Sequence, residues 1–117
     1  METWLDIARS NKKAAASLFD EGHHRSAVSR AYYAVYARAT NALVCQGVAM
    51  PAGREGPQHQ KLASMIGDTL RKPDFVGRLV RRLYSMRCYA DYMPSVTVGA
   101  RDGRNALSLM YKALEML

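Results

Sequence analysis

Between Pro73 and Pro94 the chain places Phe75, Leu79, Leu83, Met86, Ala90 and Met93 three or four residues apart. That spacing returns every apolar side chain to one face of an α-helix, whereas a strand would scatter them over both of its faces. The same period recurs elsewhere. After Thr3, with Asp6 in position for a capped first turn, come Trp4, Ile7, Ala8, Ala15, Leu18 and Phe19, and Gly22 supplies a stop. A second helix is predicted from about Arg25 to Gln46, ending at Gly47. Its small residues Ala27, Ala31, Ala34 and Ala37 permit close helix approach. Residues 48–57, with Pro51, Gly53, Gly56 and Pro57, read as a loop. A third helix is expected from about Gln58 to Arg71, ended by Pro73. Asp74 is placed to cap the fourth, which Pro94 stops, and a fifth from about Asp102 carries Ala106, Leu109, Met110, Ala113 and Leu114. The Val96–Val98 stretch is too short to argue for a sheet. The expected fold is all-α, an antiparallel bundle of four to five helices in a single domain over residues 1–117.

Charge narrows the partners. Lys and Arg number 17 against 10 Asp and Glu, a net charge of +7. On a 13.0 kDa chain that excess favours polyanionic partners, nucleic acid above all. Cys45 and Cys88 both fall inside apolar helical patterns, so packed, reduced thiols in a cytoplasmic protein are expected rather than a secreted disulfide framework. No apolar run approaches the roughly 18 residues of a membrane span, and no signal-peptide pattern opens the chain. His23 and His24 are adjacent and His59 stands alone, which is not metal-ligand spacing. There is no glycine-rich phosphate loop and no nucleophile elbow. Neither a metal nor a cofactor is expected.

Three groups of residues remain to carry chemistry. In the segment Ser29–Tyr36, Arg30 projects from a face otherwise built of alanine, beside Tyr32, Tyr33 and Tyr36. A guanidinium cannot be deprotonated and must find a carboxylate or carbonyls there, while the phenols bury apolar bodies and offer polar tips. In the segment Arg87–Tyr92, Arg87 follows Leu83 by four residues and precedes Asp91 by four. Asp91 is therefore placed to meet Arg87, Arg30 of the second helix, or both, and a shared carboxylate would fix the register of two helices. Arg78, Arg81 and Arg82, following Arg71 and Lys72, form a basic stripe suited to phosphate contacts. The plain alternatives are a structural ion-pair network of Arg30, Asp91 and Tyr33, and a solvated basic helix face.

Gly22, the Ser-Arg-Ala-Tyr-Tyr-Ala run at 29–34, His59-Gln-Lys-Leu62 and Arg87-x-x-Ala-Asp-Tyr92, in this order, resemble the HEPN (higher eukaryotes and prokaryotes nucleotide-binding) superfamily over most of the chain. The resemblance implies a helical bundle that forms a homodimer, with a functional cleft at the dimer interface. It also implies metal-independent endoribonuclease activity in many members, many of them toxins encoded beside a nucleotidyltransferase that neutralises them. The family's active-site pattern is an Arg, a spacer of four to six residues, then a His. Arg87 matches the arginine, but Tyr92 stands where a four-residue spacer would deliver the histidine, and no histidine follows His59. Cleavage of RNA through its own 2′-hydroxyl needs a proton acceptor working near neutrality, which suits His and not an ordinary Tyr.

Three readings follow. The favoured one is a module that binds RNA, a nucleotide or a nucleotidyltransferase partner through a basic cleft at a dimer interface, as part of a toxin–antitoxin pair. The second is a metal-independent endoribonuclease in which Arg87 holds the scissile phosphate and His59 or Tyr92 assists. The third is a non-catalytic dimeric scaffold.

Overall fold

A computed structural model describes residues 1–117. The chain forms five helices and no strand: α1 (Trp4–Asp20), α2 (His24–Cys45), α3 (His59–Asp68), α4 (Asp74–Tyr92) and α5 (Ala100–Met116). The first begins as its sequence asks. The Thr3 Oγ1 accepts from the Asp6 N–H at 3.1 Å, and the Thr3 N–H donates to the Asp6 carboxylate at 2.9 Å. These bonds satisfy orphan donors of the first turn and hold the Asp6 carboxyl below its ordinary pKa. Gly22 ends α1 at φ 83° and Gly47 ends α2 at φ 80°, left-handed positions where a side chain would be strained.

The central helix is α2, which packs against α1, α4 and α5. It buries residues on every side, from Val28 and Tyr32 to Val35 and Leu43. Ala27, Ala31, Ala34 and Ala37 are at most 1% exposed, which is what lets three neighbours approach one rod. On α4 the buried face is rotated from the stripe read in the sequence. Val76, Gly77, Val80, Leu83 and Ala90 are buried, whereas Phe75, Leu79 and Met86 are half-buried and Met93 is exposed. The reason is that α4 touches α2, α3 and α5 together, so its most enclosed line faces their junction. At Gly77 an added Cβ would stand 3.2 Å from the Ala63 carbonyl oxygen, so α3 and α4 cross there with almost no spacing.

Several boundaries differ from expectation by a few residues. The third helix stops at Asp68, short of Arg71. There the Leu70 N–H donates to the Met65 carbonyl at 3.1 Å and the Lys72 N–H to that of Ile66 at 3.1 Å. Arg71 lies at φ 55°, so the chain has reversed before Pro73 acts. Asp74 is the first residue of α4, with Pro73 at the cap position and no side-chain cap bond. The last helix starts at Ala100, because Asp102 reaches back to accept from the Gly99 N–H at 2.9 Å. Cys88 is half-buried, but Cys45 is exposed at the C-terminal end of α2 and not packed as expected. No helix is long and apolar enough to cross a membrane.

Two contacts set the positions of the C-terminal end of α4 and of the loop before α3. Arg25, in the first turn of α2, donates through Nη1 to the carbonyls of Tyr89 (3.1 Å), Ala90 (3.0 Å) and Met93 (3.3 Å), and through Nη2 to that of Val96. A cation thereby closes the C-terminal end of α4, where helix carbonyls lack partners and the dipole is negative. In the loop before α3, the buried Tyr36 hydroxyl donates to the Pro57 carbonyl at 2.7 Å. Gly56 passes so close that an added Cβ would collide with that hydroxyl. Gly56→Ala is therefore expected to lower unfolding free energy by about 1–3 kcal/mol through overpacking against a rigid ring. A denaturant titration that leaves the midpoint unchanged would count against this contact.

Candidate functional site

Arg87 occupies a core position on α4: it follows Leu83 by four residues, precedes Ala90 by three, and its side chain is 11% exposed. A guanidinium placed there keeps its charge, so its surroundings have to supply acceptors. Its Nε donates to the Asp91 Oδ2 at 2.8 Å and its Nη2 to the Tyr92 hydroxyl at 3.1 Å. Its central carbon lies 5.1 Å from the Tyr33 ring centroid and 5.0 Å from that of Tyr92, within cation–π range of both. Nη1 has no protein partner and is not sealed from solvent. The same Asp91 Oδ2 also accepts from the Ser29 Oγ at 3.1 Å, which ties α2 to α4. Arg87–Asp91 is the only Lys or Arg ion pair with a carboxylate in the structure, so the excess positive charge is otherwise unpaired.

Arg30 does not reach Asp91, and the shared-carboxylate arrangement is corrected. Ser29, one residue earlier, faces α4 and takes that place. Arg30 is turned by about 100° around α2. It donates through Nη1 to the Asn11 Oδ1 on α1 at 3.2 Å and lies 5.6 Å from the Tyr33 centroid. The two guanidiniums thus meet over one aromatic ring instead of one carboxylate.

The loop anchored by Tyr36 and Gly56 delivers His59, the first residue of α3, into the same region. Its Nδ1 is 2.7 Å from the Tyr32 hydroxyl. Its ring stacks on Tyr84 (5.8 Å, 13° between planes) and lies 4.7 Å from Tyr36 and 6.0 Å from Tyr33, centroid to centroid. Burial, with the charges of Arg87 and Arg54, pushes the His59 pKa below its ordinary value. Burial also pushes the Tyr32 hydroxyl well above its ordinary value, so it keeps its proton. The result near neutrality is an uncharged imidazole whose Nε2 has no protein partner and is not sealed from solvent. Either ring nitrogen can carry the proton, because Tyr32 can donate to Nδ1 or accept from it.

The basic stripe falls elsewhere. Arg78, Arg81 and Arg82 precede Arg87 by nine, six and five residues, which places them about 120–180° around α4 from it. All three are exposed, and Arg78 and Arg81 line a groove of about 330 Å³ against α3 together with Asp68 and Asp74. They do not adjoin the Arg87 cleft. No three His, Cys, Asp or Glu side chains converge in a way that would hold a metal ion. Arg25, Arg54 and Asn11 help to build the site without having stood out in the sequence. Each is an isolated polar residue whose role depends on which helix end or loop faces it.

The family model described as the HEPN domain matches residues 1–117. The chain belongs to the HEPN family. It is also 27% identical, over 117 residues, to a protein of Methanocaldococcus jannaschii named as a candidate toxin, covering 97% of this chain and 80% of that relative. Within a HEPN bundle, then, the arginine on α4 keeps company with an imidazole from α3 and a phenol, Tyr92, from its own last turn.

The lowered His59 pKa has a thermodynamic sign. Between its folded and ordinary values the unfolded chain binds the proton first, so stability is full above pH 6.5 and declines as pH falls through it. Urea titrations at pH 7 and pH 5 should show a smaller pH-dependent loss in His59→Gln than in the wild type. Identical losses would mean that His59 titrates normally.

Proposed function

We propose that this HEPN protein binds RNA through a basic cleft centred on Arg87, on a face that pairs with a second copy of the chain. In this reading it is the effector of a toxin–antitoxin pair whose other member is a nucleotidyltransferase. One observation carries the binding role: a nearly buried guanidinium is held by Asp91, Tyr33 and Tyr92 while Nη1 stays free for a phosphate oxygen. Arg30 adds a second cation at the same ring, and Tyr92, 67% exposed, offers a face on which a base can stack. Arg78, Arg81 and Arg82 contribute to the long-range field that draws in a polyanion, and not to the cleft itself. Support for pairing comes from Tyr89, Tyr92, Met93 and Val96, large apolar residues exposed together at the end of α4 and just beyond. The toxin role rests on the M. jannaschii relative's name.

A second reading, metal-independent RNA cleavage, is favoured by His59. An uncharged imidazole with a free Nε2 stands across Tyr33 from Arg87, where it would accept the 2′-hydroxyl proton in place of the family's missing histidine. Tyr92 would then hydrogen-bond the phosphate or stack on a base. In the scaffold reading, by contrast, Arg30, Arg87, Asp91 and Tyr33 only lock helices together.

Labelled single-stranded RNA should bind Arg87→Ala about tenfold more weakly than wild type, and with a smaller dependence of affinity on salt. Unchanged affinity and salt slope would leave only the scaffold. In EDTA, cleavage by the wild type that is lost in both Arg87→Ala and His59→Ala would establish the ribonuclease reading, and equal cleavage by all three, or none, would remove it. Sedimentation at micromolar concentration should give twice the chain mass, shifting towards 13.0 kDa in Tyr92→Asp. A wild-type species of 13.0 kDa would rule out the pairing.

A further inference from the structure

Beside the cleft, between α1 and α2, lies a groove of about 350 Å³ whose walls include Trp4, Tyr36, Tyr33, Ile7 and Arg30. We infer that this groove seats one unpaired base of single-stranded RNA, next to the phosphate that Arg87 contacts. The inference rests on the RNA-binding reading above and adds to it the kind of strand and the place of a base.

The aromatic walls are arranged to receive a planar group. Trp4 and Tyr36 meet at 70° with centroids 6.0 Å apart, so they form a corner and do not close on each other as a stacked pair. Trp4 and Tyr33 are only half-buried, which leaves ring surface open to the groove. No carboxylate lines it, and its one charged residue is Arg30, so the lining suits a polyanion and repels none of its phosphates. Such a guanidinium can also stack on a base.

Continuity fixes what the occupant has to be attached to. Tyr33 is a wall of the groove and also the ring on which Arg87 rests at 5.1 Å. A strand with a phosphate at Arg87 therefore has the groove as its immediate neighbour. The Asn11 amide and the Tyr36 hydroxyl there are already engaged. The Asn11 Nδ2 donates to the Ile7 carbonyl at 3.0 Å, and its Oδ1 accepts from Arg30. The Tyr36 hydroxyl is spent on Pro57. The Trp4 Nε1–H, the Tyr33 hydroxyl and the Nε and Nη2 of Arg30 make no bond within the protein, and the rings themselves offer stacking, which any of the four bases can accept. A duplex, whose bases are already stacked and paired, cannot present one to this groove.

The chain carries a single tryptophan, Trp4, so the groove reports its own occupancy. Trp4 emission and strand anisotropy are followed while the protein is titrated with a short single-stranded RNA, its duplex, an abasic strand of equal length and charge, and a nucleoside monophosphate. The single strand is expected to quench Trp4. The abasic strand should bind about tenfold more weakly without quenching, and the duplex should bind without quenching. Trp4→Leu should weaken the single strand about tenfold and leave the abasic strand unaffected. Should that variant fail to fold, Arg30→Gln, at an exposed position, is expected to reduce the discrimination between the two strands. Equal affinity for abasic and ordinary strands, with Trp4 silent and the Arg87 dependence intact, would overturn the base site and leave RNA binding standing. Equal quenching by the monophosphate at the same concentration would overturn the strand in favour of a free nucleotide. Failure of every RNA to bind would remove both readings.

Discussion

A guanidinium set into the packed side of a helix obliges its neighbours to satisfy it, and in this bundle that obligation falls on α4 and α2 together. Arg87 stands in line with Val80, Leu83 and Ala90, where a leucine would pack without further demands. Breaking a partly buried pair of this kind by removing one member usually destabilises more than the intact pair stabilises. The arrangement is thus better understood as a constraint on geometry than as a source of stability. Asp91 accepts from Arg87 and from Ser29 on the same oxygen, and this bond, with those from Arg25 to Tyr89 and Ala90, ties the axial register of α2 to that of α4. Everything proposed for the cleft inherits that register.

The family's missing histidine takes on a different meaning in three dimensions. Tyr92 holds the place that sequence spacing assigns to it, and it bonds the arginine instead of standing ready as a base. The imidazole nearest to Arg87 arrives from a different helix, carried by a loop whose conformation depends on a tyrosine–glycine contact. Its four tyrosine neighbours partly bury the ring, and that burial, with the charges of Arg87 and Arg54, favours its uncharged form. An uncharged imidazole is the form that accepts a proton. The same imidazole also packs against and bonds Tyr32, a role that needs no chemistry, and cleavage therefore stands behind binding.

Much of this was legible in the chain. Helical spacing, the Thr3 and Asp6 cap and the two left-handed glycines specify the number of helices and most of their ends, because these signals act within a few residues. The stripe on α4 was displaced because spacing alone does not tell which of two adjacent faces is covered when a helix has three neighbours. The pairing of Arg30 with Asp91 failed for a related reason. Ser29 and Arg30 are adjacent, and only the true crossing of α2 and α4 decides which of them looks across. Arg25 left no local signal, since its partners are backbone oxygens more than 60 positions away. The distance of Arg78, Arg81 and Arg82 from Arg87, in contrast, follows from 3.6 residues per turn and was open to calculation from the start.

The clamp made by Arg25 has a kinetic side. Helix ends ordinarily fray, and a fraying α4 would release Tyr92 and uncover Arg87 in step with the loss of its last carbonyl bonds. The carbonyls of Tyr89 and Ala90 in its last turn, with those of Met93 and Val96 just beyond, are instead held by a guanidinium rooted in another helix, whose two nitrogens divide acceptors that one lysine nitrogen would have to share. The rim around Arg87 is consequently already ordered before anything arrives. A molecule landing there gives up its own freedom on binding, with little further loss from the protein.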